Sequence, residues 1–146
     1  MKAVVQRVSN ANVKVNEEIV GKIENGFVVL LGVQNGDTKE NADYLVKKIT
    51  ALRVFSDEND KMNLSLKDVN GSLLVVSQFT LCADCVKGNR PSFSGAADPK
   101  LANELYEYFV SECRKLDSKV ETGIFGANMK LNLTNDGPVT IILEKY

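Results

Sequence analysis

Not one of the 146 residues is histidine. The side chain that most often serves as a general base at neutral pH, and most often ligates a metal, is therefore missing. This excludes Ser-His-Asp and Cys-His hydrolases. Any catalysis has to use hydroxyls, main-chain amides, a carboxylate or a group that the substrate brings. An excess of positive charge is lacking too. Eighteen Lys and Arg face 19 Asp and Glu for a net charge of −1, so no protein-wide basic field exists to hold a long nucleic-acid backbone. DNA is not an expected partner, and any nucleic-acid contact should be local. No stretch approaches the roughly 20 apolar residues of a membrane span. The start, Met1 to Arg7, has no apolar centre of the kind a signal peptide carries, so no membrane association is expected. Cysteine is scarce and odd in number: Cys82, Cys85 and Cys113 suit a reducing compartment better than a disulfide framework, and point to the cytoplasm. At 44% hydrophobic and 25% charged residues, the composition is that of one compact domain spanning residues 1–146.

The first third reads as short strands, Ala3 to Val8, Val13 to Asn16, Glu18 to Ile23 and Phe27 to Leu31. Asp37 and Thr38 offer caps to a helix whose apolar stripe is Ala42, Leu45, Val46, Ile49 and Leu52. Ser56 to Asp60 reads as a polar loop. Asn70-Gly71 is a turn signal before the strand Ser72 to Ser77. Ala83 to Ala97 has no period and reads as an ordered surface loop. Asp98-Pro99 opens a second helix with Leu101, Ala102, Leu105, Phe109 and Cys113 buried. The C-terminus alternates, with Met129, Leu131 and Leu133 on one face, a turn at Asn135 to Pro138, then Val139 to Leu143. These elements predict an α+β fold: a largely antiparallel sheet, curled or barrel-like, with two main helices.

Three segments carry groups suited to chemistry. The strand end Val76-Ser77-Gln78-Phe79-Thr80-Leu81 turns polar where it leaves the sheet, placing hydroxyls and an amide beside an aromatic ring. Taken alone, it also fits an ordinary solvated strand edge. Asn135-Asp136-Gly137-Pro138 could lock a cis peptide bond. Only about 5% of X-Pro bonds in folded proteins are cis, so the residues alone favour a plain turn. Lys87-Gly88-Asn89-Arg90-Pro91-Ser92-Phe93 puts two cations and a ring on one loop, which suits phosphate and base contact as well as a solvated loop. Cys82-Ala83-Asp84-Cys85 looks like a redox or zinc motif, but no second pair or histidine completes it and it does not open a helix. No metal or cofactor is expected.

Together these segments closely resemble the D-aminoacyl-tRNA deacylase family, also called D-tyrosyl-tRNA deacylase. The resemblance runs nearly end to end through Met1 to Val8, Ser77 to Thr80, Gly88 to Phe93, Thr122 to Ala127 and Asn135 to Thr140. It implies a homodimer with active sites at the subunit interface, and a cis bond at Gly137-Pro138 that reaches into the partner's pocket. Its carbonyls would exclude an L side chain and let a D side chain point to solvent, and glycine would pass. The resemblance also implies that Ser77, Gln78, Phe79 and Thr80 cradle the ester and the terminal adenosine of tRNA. Arg7 would support the Gly-Pro segment, and Phe125 and Met129 would lie near the pocket. Cys82 and Cys85 stand where the family more usually has an aromatic or small polar residue.

An aminoacyl ester is already activated, so orientation and amide donors near Phe79 and Thr80 could suffice. Two routes remain: Thr80 as nucleophile, or the ribose 2′-hydroxyl assisting water. Thr80 has no base visible in the sequence, which favours substrate assistance. The rival readings are a non-catalytic module that binds aminoacyl-tRNA or peptides in the same pocket, and a thiol enzyme using Cys85.

Overall fold

A computed structural model describes residues 1–116 and 118–146. Strand β1 (Lys2–Val15) pairs antiparallel with β2 (Glu18–Ile23) through Ala11 to Val15, and with β3 (Gly26–Gly32) through Lys2 to Val8. Two strands were expected where β1 is one. Between its two partners lie the exposed Ser9 and Asn10, whose polarity hides the continuity. Asn16 and Glu17 at φ of 49° and 66° make the tight turn into β2, so Asn16 ends the hairpin rather than extending a strand.

Helix α1 (Lys39–Ala51) is capped by Thr38, whose main-chain N–H donates to Asn41 Oδ1 at 2.9 Å. Asp37 does not cap it. Its carboxylate accepts from the Met1 ammonium at 2.8 Å and from the Gln34 N–H at 2.6 Å. The short strands β4 (Phe55–Ser56) and β5 (Met62–Leu64) form a hairpin around the expected polar loop, of which only Ser56 is strand. The Asn70-Gly71 turn, with Asn70 at φ 53°, leads into β6 (Ser72–Ser77) as expected. A 3-10 turn follows (Phe79–Cys82), then α2 (Pro99–Lys115), β7 (Lys119–Thr122) and β8 (Lys130–Glu144). Asp98 caps α2, accepting from the N–H groups of Lys100 and Leu101 at 3.0 and 3.1 Å.

The six-stranded sheet runs β2-β1-β3-β6-β7, with β8 on the other edge of β1. Most pairings are antiparallel, as expected. β3–β6 and β6–β7 are parallel, because a helix crosses over between each pair. Both helices cover one face, where Phe27, Leu45, Ile49, Leu73, Val75 and Phe109 are buried. On the other face the sheet curls until β2 meets β7, and Val13, Ile23, Val28, Leu74 and Val76 fill the inside.

The greatest departure from expectation is in β8. No reversal occurs at Asn135 to Pro138. Val8 pairs with Asn135 and Gln6 with Thr140, so Asp136, Gly137, Pro138 and Val139 bulge out opposite Arg7 alone. The Gly137-Pro138 bond is cis, as the resemblance implied and the residues alone did not.

The near-closure depends on Gly21. A Cβ there would lie 2.5 Å from the Thr122 carbonyl oxygen, which is main chain and cannot yield cheaply. Gly21→Ala should therefore destabilise the protein by roughly 1–3 kcal/mol, as overpacking does. Urea unfolding measures this, and an unchanged midpoint would show that β2 and β7 can part without cost.

Candidate active site

Strand β6 delivers Ser77 to the rim of the barrel. The Gln78 N–H still donates to the Leu31 carbonyl at 2.8 Å, prolonging the parallel pairing by one residue. The chain then leaves the sheet in the 3-10 turn, whose buried Cys82 sits with Sγ 3.5 Å from the Val33 carbonyl oxygen. Burial pushes the Cys82 thiol up from its ordinary range. This anchor leaves Phe79 and Thr80 exposed on the turn's outer side.

A cavity of about 580 Å³ opens beside the turn, lined by Ser77, Gln78, Phe79, Phe93, Phe125 and Met129. Ala96, Ala97 and Ala102 with Pro99 form a small-residue wall from the loop and the first turn of α2. At the mouth the half-exposed Phe79 ring meets Phe93 edge to face, centroids 5.1 Å apart at 67°. Phe125 is backed by Tyr106 at 6.0 Å. Tyr106 is itself buried, donating its hydroxyl to the Val75 carbonyl at 2.7 Å. Burial raises the Tyr106 hydroxyl to about 12.

The structure brings four of the nine expected site residues, Ser77, Gln78, Phe79 and Phe125, into this cavity together with a fifth, Met129. Thr80 stands just outside. Its Oγ accepts from Gln78 Nε2, and no other side-chain partner reaches it among the described residues. Arg7, Gly137 and Pro138 lie apart from this chain's cavity. The buried Arg7 donates to the carbonyls of Asp136 at 2.9 Å and Val54 at 2.6 Å, and its guanidinium is 3.8 Å from the Asp136 carboxylate. Gly137 and Pro138 are exposed.

Sequence reasoning missed the wall formed by Ala96, Ala97, Pro99 and Ala102. Clustered small residues are visible in the sequence, but nothing there shows that they face Phe125. The lining side chains include no acid, base or cation. Among the described residues, no three His, Cys, Asp or Glu side chains come together as a metal ion would require. The cavity offers hydroxyl, amide and main-chain groups in an uncharged, largely apolar cleft, which is equipment for orienting an activated ester and stabilising its oxyanion.

The sequence pattern of the D-Tyr-tRNA(Tyr) deacylase family matches residues 4–144. A D-aminoacyl-tRNA deacylase of Thermosipho africanus is 60% identical over 144 residues, covering 99% of this chain and 97% of the relative. One from Clostridioides difficile is 58% identical with the same coverage. A solved structure described as a c-Myc DNA unwinding element binding protein superposes with a TM-score of 0.94 at 44% identity, covering 100% of this chain and 99% of its own. A second solved structure has the same fold, with a TM-score of 0.82 at 18% identity.

The family pattern and these relatives define the class, a hydrolase. The chain belongs to the D-aminoacyl-tRNA deacylase family.

The thiol reading makes a separate claim that geometry addresses. Cys85 is exposed and does not line the cavity. Cys82 and Cys113 are buried, and burial carries the Cys113 thiol to about 12. At pH 8 a thiol reagent should therefore modify one cysteine per chain rapidly, and none in Cys85→Ala. Turnover should survive that substitution. Loss of turnover in Cys85→Ala would restore the thiol enzyme.

Proposed function

We propose that this chain hydrolyses the ester joining a D-amino acid, or glycine mischarged on a non-cognate tRNA, to the terminal adenosine of tRNA. It would thereby proofread chirality for translation in the cytoplasm. The observation that carries the mechanism is the cavity without an ionisable side chain. With no base at hand, the proton transfer falls to a group the substrate brings, the ribose 2′-hydroxyl beside the ester. The main-chain amides of Phe79 and Thr80 would receive the oxyanion, and Ser77 and Gln78 would orient the ester. Thr80 is then a positioning hydroxyl.

Chirality would be read by Gly137-Pro138 of a second copy of the chain. Two features support this. The bulge lies exposed and outside its own chain's cavity. The outer edge of β8 is unpaired along its 15 residues among the described residues, with Leu131, Leu133, Ile141 and Leu143 only half-buried and Ile142 exposed. A long apolar edge of this kind calls for a cover, and a twofold partner supplies one. Three free thiols agree with a reducing compartment. One related structure is described as binding a DNA element. A chain of net charge −1 offers little to a duplex backbone.

The deciding experiment incubates the protein with D- and L-tyrosyl-tRNA side by side. The D ester should be cleaved and the L ester spared. Retarding the D ester on a gel while leaving it intact would make the protein a binding module instead.

Two further outcomes are expected. Thr80→Ala should keep most deacylation, whereas replacing the 2′-hydroxyl by hydrogen should cost on the order of 100-fold or more, the usual span of general acid–base catalysis. A covalent acyl group trapped on Thr80 would reverse that ranking. Gly137 sits at φ +128°, and a Cβ there would lie 3.0 Å from Arg7 Nη2 and from the Val139 nitrogen. Gly137→Ala should therefore displace the bulge and shrink the D-to-L ratio of kcat/KM. An unchanged ratio in a folded variant would mean that another element reads chirality.

A further inference from the structure

Asp84 and Ser92 form an isolated antiparallel bridge, the Asp84 N–H donating to the Ser92 carbonyl at 2.8 Å and the Ser92 N–H to the Asp84 carbonyl at 2.9 Å. The bridge ties off the loop between them. On one side it is joined through Ala83 to the 3-10 turn that carries Phe79. On the other, the next residue is Phe93, whose ring packs on Phe79 at 5.1 Å. The loop is therefore rooted at both feet in the mouth of the cavity. At its tip Lys87 and Arg90 are exposed, and neither makes an ion pair among the described residues. The nearby Asp84 is exposed, its Oδ1 accepting from the Val86 main-chain N–H at 2.9 Å. Some cations elsewhere are engaged: Lys39, Lys48 and Lys145 lie over tyrosine rings, and Lys115 pairs with Glu112.

An uncharged cavity takes the terminal nucleoside and its ester but gives no hold on the phosphodiesters that follow. Those phosphates must leave across the mouth, where this loop sets two unpaired cations against one carboxylate, that of Asp84, which accepts from the loop's own main chain. We infer that the Asp84–Ser92 loop grips the backbone at the 3′ end of the RNA, with Lys87 and Arg90 each meeting one phosphate. This rests on the tRNA reading above. Arg90 suits a two-pronged hold on phosphate oxygens, and Lys87 a point contact.

The test compares two D-tyrosyl esters, one on an acceptor-stem minihelix ending in CCA and one on adenosine alone. Lys87→Ala and Arg90→Ala should each raise KM for the minihelix several-fold with kcat unchanged. Each should also flatten the slope of log kcat/KM against log salt by roughly 0.7, the contribution of one single-strand phosphate. Neither should alter turnover of the adenosine ester, and Arg90→Lys should recover part of the loss. Equal losses on both esters, or an unchanged salt slope, would overturn the inference, since the loop would then be shaping the cavity. Failure of the parent protein to cleave either ester would count against the deacylase reading instead. The loop is then judged by fluorescence anisotropy of the uncharged minihelix. Weaker, less salt-dependent binding in the variants upholds it, and parent-like binding removes it.

Discussion

The ladder between β1 and β8 holds the rest of the structure in place. From Lys2↔Glu144 to Lys14↔Lys130 these two strands run antiparallel along nearly their full length, although their residues lie more than 100 positions apart in sequence. β1 serves both cores, giving Ala3 and Val5 to the helix-covered face and Val8, Ala11 and Val13 to the barrel interior. The ladder is fastened at its end by the Met1 ammonium, which donates to Asp37, Gln34 and the Lys145 carbonyl at 2.7–2.9 Å. Burying that charge would be costly alone, but three acceptors, one of them the Asp37 carboxylate, compensate it. Asp37 is thereby withdrawn from helix capping, and Thr38 and Asn41 cap α1 instead.

The interruption in the ladder matters as much as its length. Four residues of β8 stand opposite one residue of β1, and that one is Arg7. A bulge of that size leaves carbonyls without ladder partners, and a buried guanidinium is well suited to collect them. It takes the Asp136 and Val54 carbonyls with separate nitrogens. Arg7 therefore ties the bulge to the residue before β4, holding main chain at both.

Much of this was legible in the sequence, and what was not has identifiable causes. Capping residues and helical stripes foretold both helices, because Thr38, Asp98 and Pro99 act locally. β7 went unseen. Its four residues carry too little alternation, and its partner β6 is parallel and separated by the whole of α2, a pairing that periodicity cannot specify. The continuity of β1 was hidden because Ser9 and Asn10 break the apolar pattern where the strand passes from one partner to the other. Asn135 to Pro138 has the composition of a reversal, and only the pairing of both flanks with the same strand shows that it is a bulge. The strand end at Ser77 to Phe79 was readable from its switch to polar residues. The alanine wall opposite was not, because small apolar residues carry no signal of which cavity they face.

On the proposed mechanism, selectivity would come from exclusion rather than attraction. A filter built of main-chain carbonyls, on a bulge that Arg7 ties down at Asp136, has no side chain with which to prefer one amino acid. It can only deny room on the side where an L substituent would project, leaving the D side free to solvent. Such a filter treats D-tyrosine and D-alanine alike, and it has no means of refusing glycine, which presents nothing to exclude. The uncharged cavity follows the same logic. Because no side-chain base discriminates among substrates, every ester admitted past the filter would meet the same amides and the same 2′-hydroxyl, so the breadth of substrates and the strictness of chirality would share one geometric origin.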